Sequence, residues 1–392
     1  MLTRVVRWAR GNRSLPPRIH TARALSLAID RAYPSSAFIY KQLALAIAST
    51  VFFALVATAG EPILPHGPAR SVAFSADGKL VAAALGSRIF IWEVGTGALR
   101  LEIDAGASLP GEPLAFSPDG SRIAAGFGTP TNVTLTGGIL FAWDTRTGER
   151  LADFGRSYNI DLPATGITVV HNLAYSPDGK YLGICLGGLG VRHKLIVRDA
   201  TSGKGVYGFM AGPGLVFPLA FSSDGKMAAM WCRILGPVPG RLTVTVWDLG
   251  TGRELRHFAG CGATLKNGLA FSPDGELLAA GGTRGRICVY DAEKGGRPTV
   301  LRQDERGDIP AVAFSPDGKT LASESHRKWH ATLHAWSVGS ARELRQCTIA
   351  AHPLLLGTFS PDARSFAAGD TDDNSVHLWD VDTCSEIRKF GT

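Results

Sequence analysis

The chain has 392 residues and a formal net charge of +7. The length alone allows two or three average domains, and the positive charge points to a nucleic-acid or membrane partner only if the folded part carries it. Residues 1–42 hold eight basic side chains and one acid, so the totals of 41 basic and 34 acidic residues leave 33 of each in the remainder. The body is therefore neutral, which argues against non-specific binding of nucleic acid, because that needs a net positive surface.

An apolar segment follows the basic leader. Residues 43–59 read LALAIASTVFFALVATA, without a charge, and end in the small-x-small pattern Ala57-Thr58-Ala59. This pattern predicts either a signal peptide cleaved after Ala59 or an uncleaved anchor with its basic flank in the cytoplasm. Both place the body outside the cytoplasm, in the periplasm or secreted, with membrane contact only through residues 43–59. The leader is longer than an ordinary signal-peptide start, which leaves open a misassigned start codon, an Arg-rich organelle presequence, or a buried helix packed on the body.

From residue 70 a short unit recurs, and its template is GLAFSPDGELLAAGGTRGRICVYD at residues 268–291. Three apolar runs alternate with turn residues: Leu269 to Phe271, Leu277 to Ala280 and Ile287 to Tyr290. Such runs between Gly, Pro and Asp indicate antiparallel strands. The turn-anchoring aromatic residues recur seven times, at Phe74, Phe116, Tyr175, Phe221, Phe271, Phe314 and Phe359.

The rest of each unit repeats as well. The third-strand anchors are Trp92, Trp143, Arg198, Trp247, Tyr290, Trp336 and Trp379. An Asp usually follows the anchor, then a Gly turn and a fourth, more polar run such as Glu386 to Phe390. Four strands in 42–59 residues match the period of propeller blades.

These repeats resemble the blades of WD-repeat β-propeller proteins, in the AFSPDGK-type variant common in bacterial sequences. The resemblance covers about residues 70–392 and implies an all-β, seven-bladed propeller of four-stranded antiparallel blades over residues 61–392, preceded by residues 1–60 as leader and apolar helix. Because Glu386 to Phe390 gives the seventh unit its own fourth strand, we expect the ring to close by packing between the first and last blades. Ala363 occupies a turn position where the other units have Gly, so we expect a strained positive φ there.

In this topology the turns after strands one and three lie on one face of the ring. The connections between strands two and three and between blades lie on the other, here called the variable-loop face, where the sequence varies most. Its longest predicted excursions are residues 127–138, 155–170, 233–241 and 324–332. The family resemblance implies that partners bind on this face.

The strongest candidate for partner binding is the segment His326-Arg327-Lys328-Trp329-His330, since exposed Trp and Arg are typical of interface hot spots. The competing interpretation is a loop whose Trp folds back onto its own blade. Five further cationic residues are expected to join the cluster across the same face: Arg284, Arg286, Arg192, His193 and Arg233.

Two kinds of metal site receive little support. Asp370, Asp372 and Asp373 resemble the start of a calcium loop, but the required Gly and distal Glu are missing, which favours a plain polar turn. The six cysteines are widely spaced and form no CxxC pair, so we predict no zinc or dithiol site. Cys185 and Cys288 lie in strand-like runs and are most simply small buried side chains, and the sequence leaves disulfide pairing open.

The sequence therefore predicts a non-catalytic interaction module, with no cofactor, that binds a protein partner on its variable-loop face. The alternative is a propeller-type enzyme, hydrolase or lactonase-like, with carboxylates and histidines converging at the channel mouth. A weaker third hypothesis is a purely structural envelope component.

Overall fold

The computed structural model describes residues 69–105, 113–126, 140–151, 167–189, 191–210, 218–233, 242–259, 261, 268–303, 307–327, 330–350, 357–370 and 373–391. The predicted leader and apolar helix at residues 1–60 lie outside these residues. Within the described part of the chain, no helix is long and apolar enough to cross a membrane.

Every described strand belongs to one of seven antiparallel sheets, the blades, each a simple meander in sequence order. Blades 1 to 3 consist of the following strands: β1 (Ala69–Phe74), β2 (Leu80–Leu85), β3 (Arg88–Glu93), β4 (Leu99–Asp104); β5 (Leu114–Phe116), β6 (Arg122–Gly126), β7 (Leu140–Asp144); β8 (Ile167–Tyr175), β9 (Tyr181–Leu189), β10 (Val191–Asp199), β11 (Gly205–Met210).

Blades 4 to 7 consist of these strands: β12 (Leu219–Phe221), β13 (Met227–Arg233), β14 (Leu242–Asp248), β15 (Glu254–Ala259); β16 (Leu269–Phe271), β17 (Leu277–Gly281), β18 (Arg286–Asp291), β19 (Thr299–Arg302); β20 (Asp308–Phe314), β21 (Thr320–Arg327), β22 (His330–Ser337), β23 (Arg342–Ala350); β24 (Thr358–Phe359), β25 (Ser365–Gly369), β26 (Val376–Asp380), β27 (Glu386–Phe390). Blade 2 has three described strands, and an isolated bridge between Trp143 and Arg150 marks the start of a fourth. The predicted seven-bladed, all-β propeller is confirmed.

The blades form a closed ring. The first strand of each blade contacts the first strand of the next, and β1 contacts both β24 and β25 of blade 7. The last blade keeps its own fourth strand, because β27 pairs with β26. Closure therefore comes from packing between blades 7 and 1, as expected from the sequence.

The core lies in the joints between blades. Separate apolar clusters fill the joints 1/2, 2/3, 5/6, 6/7 and 7/1, and one larger cluster spans blades 3 to 5. The third-strand anchors are buried, with Trp336 1% and Trp379 4% exposed. A single sheet cannot cover both of its faces, so burial of these faces stabilises the ring as a whole.

The turns after strands one and three share a face, as the topology requires. In each blade a backbone N–H of the second turn donates to a carbonyl of the first, for example Val94 N to Lys79 O at 2.8 Å and Ala292 N to Glu276 O at 2.7 Å. A buried serine organises the first turn: Ser176 Oγ donates to Asp178 Oδ1 at 2.6 Å and accepts from Tyr181 N at 2.9 Å. These serine hydrogen bonds, which were not predicted from the sequence, recur in all seven blades at Ser75, Ser117, Ser176, Ser222, Ser272, Ser315 and Ser360.

The predicted strain in blade 7 is present. Ala363 has φ 57°, whereas the matching turn positions of the other blades hold glycine, such as Gly275 at φ 77°.

Four of the cysteines form disulfides, a pairing that the sequence had left open. Cys288 is buried as predicted but forms a disulfide with Cys261, and Cys347 pairs with Cys384, while Cys185 is a buried cysteine outside these two disulfides.

Candidate partner-binding face

The predicted hot-spot cluster lies at the tip of the β21–β22 hairpin of blade 6. β21 extends to Arg327 and β22 begins at His330, so the excursion predicted at residues 324–332 is wrong: regular strands fill most of it. The register pairs Arg327 with His330 and His326 with Ala331, so the two histidines are not cross-strand partners. Lys328 and Trp329, and the side chains of Arg327 and His330, lie outside the described residues.

A buried carboxylate supports the base of this hairpin tip. The side chain of Glu324 is 1% exposed, and its Oε1 contacts Nε2 of the partly exposed His326. Its other oxygen, Oε2, has no hydrogen-bond partner in the described structure. Since a buried carboxylate is costly unless it is paired, the contact with His326 stabilises Glu324 and holds the His326 ring against its own blade.

The loop of blade 5 that carries Arg284 joins this hairpin. Arg284 is exposed and adopts φ 60°, and Gly285 N donates to Gly307 O at 2.7 Å. A Cβ at Gly307 would lie only 2.7 Å from the carbonyl oxygen of His326, so the two backbones are in close contact. The structure thus brings Arg284 and His326 to one continuous edge, with the half-buried Arg286 at the start of β18 behind them.

The remaining predicted cationic residues lie in blades 3 and 4. Arg192 and His193 are in β10 directly after the β9–β10 turn, and Arg233 ends β13. These positions are at the same end of their blades as the β21–β22 tip, because all are adjacent to connections between second and third strands. Their side chains lie outside the described residues, so their part in a binding surface stays a prediction.

In blade 7, Asp370 and Asp373, two acids of the predicted polar turn, join a charged cluster whose other members were not predicted from the sequence. His377 Nε2 lies 3.1 Å from Asp373 Oδ2 and 3.7 Å from Asp370 Oδ2, and its Nδ1 lies 3.0 Å from Glu386 Oε1. The Lys389 ammonium lies 2.7 Å from Asp373 Oδ2. The register explains the grouping, because β26 and β27 place His377 opposite Lys389.

The electrostatics of the blade 7 cluster are those of an ion-pair network. Burial alone would raise the pKa of Asp373, but hydrogen bonds from Lys389 and Ser375 outweigh it and hold that pKa well below its ordinary value. The hydrogen bond to Asp373 raises the pKa of Lys389 in turn. Asp370, Asp373 and His377 place donor atoms within 4.8 Å of one another, close enough for a metal ion. Lys389 already supplies the positive charge that such an ion would bring, so we describe the group as a salt-bridge network.

The opposite face holds an open cleft of about 970 Å³ between the turns of blades 1 and 2. It is lined by acidic and basic residues, including Asp77, Asp119, Asp144 and Lys79, together with Arg100 of β4. The acids hold their own turns: Ser75 Oγ and the Lys79 N–H lower the pKa of Asp77, and the N–H groups of Thr147 and Arg146 lower that of Asp144. These carboxylates therefore act as structural acceptors.

In sequence, parts of the chain are similar to WD-repeat proteins. The model of the family described as "WD domain, G-beta repeat" matches residues 252–291 and 347–380. The chain is 26% identical to the Periodic tryptophan protein 2 homolog of Dictyostelium discoideum over 64% of this chain and 25% of that protein. It is 29% identical to WD repeat-containing protein 82 of Drosophila melanogaster, over 37% of this chain and 46% of that protein.

Telomerase Cajal body protein 1 of Mus musculus is 29% identical over 35% of this chain and 27% of its own length. The chain thus spans between a quarter and just under half of these relatives. Among solved structures, Kuenenia stuttgartiensis hydrazine synthase superposes with a TM-score of 0.62 at 15% identity, covering 82% of this chain and 98% of that one. At this identity the likeness concerns the fold alone.

Proposed function

Because the chain is a WD-repeat β-propeller protein, we propose that it is a non-catalytic interaction module that binds a protein partner on its variable-loop face. The observation that carries the proposal is the continuous edge formed by the Arg284 loop and the β21–β22 hairpin, joined through the Gly285–Gly307 hydrogen bond. A rigid scaffold that presents charged loops and hairpin tips is the usual arrangement of a recognition surface. The similarity to WD-repeat proteins supports a general scaffold role, but it does not identify the partner.

The edge also has the composition of an interface. Arg is enriched at hot spots, and Trp329 at the hairpin tip is the aromatic residue expected to be buried on binding. The charged cluster of blade 7 lies in the blade next to the β21–β22 hairpin, since blades 6 and 7 pack against each other. A partner that binds this edge would need acidic groups opposite Arg284 and Arg327, whereas Asp373 is already paired with Lys389.

A paired-variant binding experiment tests this proposal. The wild-type protein is first cross-linked in its native cells to identify the partner by mass spectrometry. Recovery is then compared between Arg327→Ala with Trp329→Ala and a control with Lys226→Ala and Lys319→Ala on the turn face, both exposed. We expect about a tenfold or greater loss for the first variant only. Equal recovery by both variants, with both folded by circular dichroism, would remove the variable-loop face from the proposal.

We further propose that the propeller functions outside the cytoplasm. Two disulfides support this location, because such bonds persist in oxidising compartments and are rare in the cytosol. Mass spectrometry of the mature N-terminus, together with cell fractionation, tests it. A protein in the cytosolic fraction that retains residues 1–59 would contradict the proposed location.

The enzyme alternative can be tested at one place. Asp370, Asp373 and His377 gather two carboxylates and a histidine in blade 7. If they formed a hydrolytic metal centre, elemental analysis of the purified protein would find a stoichiometric metal that Asp373→Asn removes. We expect no stoichiometric metal, since Lys389 neutralises Asp373.

A further inference from the structure

We propose that the Cys347–Cys384 disulfide is a redox-sensitive clasp between blades 6 and 7: a dithiol reductant opens it in the folded protein, while Cys261–Cys288 stays closed. Cys347 lies in the outer strand β23 of blade 6, and Cys384 lies in the turn between β26 and β27 of blade 7. Their Cα atoms are 6.0 Å apart, within the range of ordinary disulfides. The bond is therefore a covalent tie across one joint of the ring.

The backbone at Cys384 is the first observation behind the proposal. Cys384 has φ 63°, a left-handed conformation that favours glycine. Its N–H donates to Asp380 O at 2.9 Å, and the residue in the same position of five other blades is glycine: Gly97, Gly148, Gly203, Gly252 and Gly295. A cysteine in this strained position is explained by its side chain, which reaches the neighbouring blade.

Exposure separates the two disulfides. Cys261 and Cys288 are 9% and 4% exposed and belong to the apolar cluster of blades 3 to 5. Cys347 and Cys384 are both half-buried, with exposed neighbours on each side: Gln346 and Thr348 beside the first, Thr383 and Ser385 beside the second. Exchange requires a thiolate to reach a sulfur atom along the S–S axis, so a soluble reductant meets the blade 6/7 clasp first.

The chemistry is an ordinary two-electron exchange. One thiolate of the dithiol attacks the sulfur of one cysteine, which breaks the S–S bond, releases the other cysteine as a thiolate and forms a mixed disulfide. The second thiol of the reductant, as its thiolate, then attacks the reductant's own sulfur in that mixed disulfide and releases the first cysteine. The products are thiols at Cys347 and Cys384 and a disulfide in the reductant. A disulfide oxidant reverses the step.

Opening the clasp has a defined structural consequence. The apolar cluster at the 6/7 joint, with Phe366 and Trp379, keeps the two blades in contact after reduction. What is lost is the tie on the outer side of blade 7, which holds the turn before β27. We therefore expect the reduced ring to stay closed while residues 376–390 open more often, because a local segment loses a cross-link.

Timed alkylation of the native protein tests the order of reduction. The oxidised protein is exposed to dithiothreitol, quenched with iodoacetamide at intervals, and digested for peptide mass spectrometry. We expect Cys347 and Cys384 to be labelled about ten times faster than Cys261 and Cys288. Equal rates, the reverse order, or full labelling of Cys347 before any reductant is added would each overturn the proposal.

Two substitutions test the conformational consequence. Cys384→Gly and Cys384→Ser both remove the clasp, but only glycine fits the left-handed turn without strain. Amide hydrogen exchange in residues 376–390 should rise several-fold above that of oxidised wild-type protein in Cys384→Gly. It should be higher still in Cys384→Ser and in reduced wild-type protein, because both keep a side chain in the left-handed turn. Exchange in Cys384→Gly equal to that of oxidised wild-type protein would show that the bond constrains nothing, and would overturn the proposed clasp.

Discussion

The phenyl ring of Phe390 in the last blade lies 5.6 Å, centroid to centroid, from the indole of Trp92 in the first. The same relationship joins blades in the interior of the ring, where an aromatic side chain of an outer strand packs on the third-strand aromatic residue of the next blade. The interior examples are Phe209 with Trp247 at 5.0 Å and Phe258 with Tyr290 at 4.6 Å. The closing joint is thus built like the others, although its two sides come from opposite ends of the propeller.

Removing the Phe390 ring should destabilise the whole propeller. Phe390 is 2% exposed, and truncating a buried Phe to Ala costs about 3–5 kcal/mol through lost burial and a residual cavity. We expect Phe390→Ala to lower the free energy of unfolding by that amount in urea titrations followed by Trp fluorescence. The interior counterpart Phe258→Ala, 3% exposed in the wild type, should have an effect of similar size. If Phe390→Ala lowered the free energy of unfolding by less than about 1 kcal/mol, Phe390 would not be tightly packed between blades 7 and 1.

Arg388 adds a polar connection to the closing joint. Its Nη1 donates to Thr96 O at 2.9 Å and its Nη2 to Gly95 O at 3.0 Å. The interior counterpart is Arg256, whose Nη2 donates to Glu293 O at 2.8 Å. Arg388→Met keeps most of the aliphatic packing, so its cost should be the hydrogen bonds alone, about 1 kcal/mol at this exposed site.

Thermal unfolding of Arg388→Met and of Arg256→Met checks this comparison. We expect both melting temperatures to fall by a few degrees and by similar amounts. An unchanged melting temperature in Arg388→Met beside a lowered one in Arg256→Met would mean that the closing contact is not made in solution.

The turn serines should contribute measurably to stability. Ser176 is fully buried and makes two hydrogen bonds within its turn. Ser176→Ala leaves the N–H of Tyr181 without its acceptor in a buried site, which should cost about 1–2 kcal/mol. Urea unfolding measures this cost, with Ser340→Ala at an exposed turn as the control within about 0.5 kcal/mol of wild type. Two indistinguishable variants would show that the repeated serine contributes no net stability.

Stability should decline in acid because the turn carboxylates are bound in their ionised form. The hydrogen bond from Ser272 Oγ and the N–H of Glu276 lower the pKa of Asp274, and Ser117 Oγ does the same for Asp119. A carboxyl whose pKa is lower in the folded than in the unfolded state adds stability above its unfolded value, about 3.9, and this stability is lost as the pH falls through the folded value. Unfolding free energies measured from pH 7 to pH 2 should be nearly constant down to about pH 5 and then fall. A curve that stays constant to pH 2 would contradict the role of these carboxylates.

The repeated parts of the molecule were predictable because each blade repeats the same local signals. The runs from Leu269 and Leu277 became β16 and β17 as predicted. The strain at Ala363 was predictable too, since a turn with Gly in six copies reveals the backbone conformation required in the seventh.

Features that depend on contacts between blades were not predictable. The cysteine pairs join residues 27 and 37 positions apart, and only the ring geometry brings them within bonding distance. The blade 7 cluster depends on the register that sets His377 beside Lys389. The turn serines did give a signal, a Ser two residues before each turn Asp, but the sequence analysis considered only Pro, Asp and Gly there.

A double-mutant cycle on Trp92 and Phe390 tests the closed ring most directly. Trp92→Leu, Phe390→Leu and the double variant are unfolded in urea beside the same cycle on Tyr290 and Phe258. We expect both cycles to deviate from additivity by about 0.5–1.5 kcal/mol, because each pair is in direct aromatic contact. Additive effects for Trp92 and Phe390, together with coupling for Tyr290 and Phe258, would show that the first and last blades do not meet and would contradict the closed propeller.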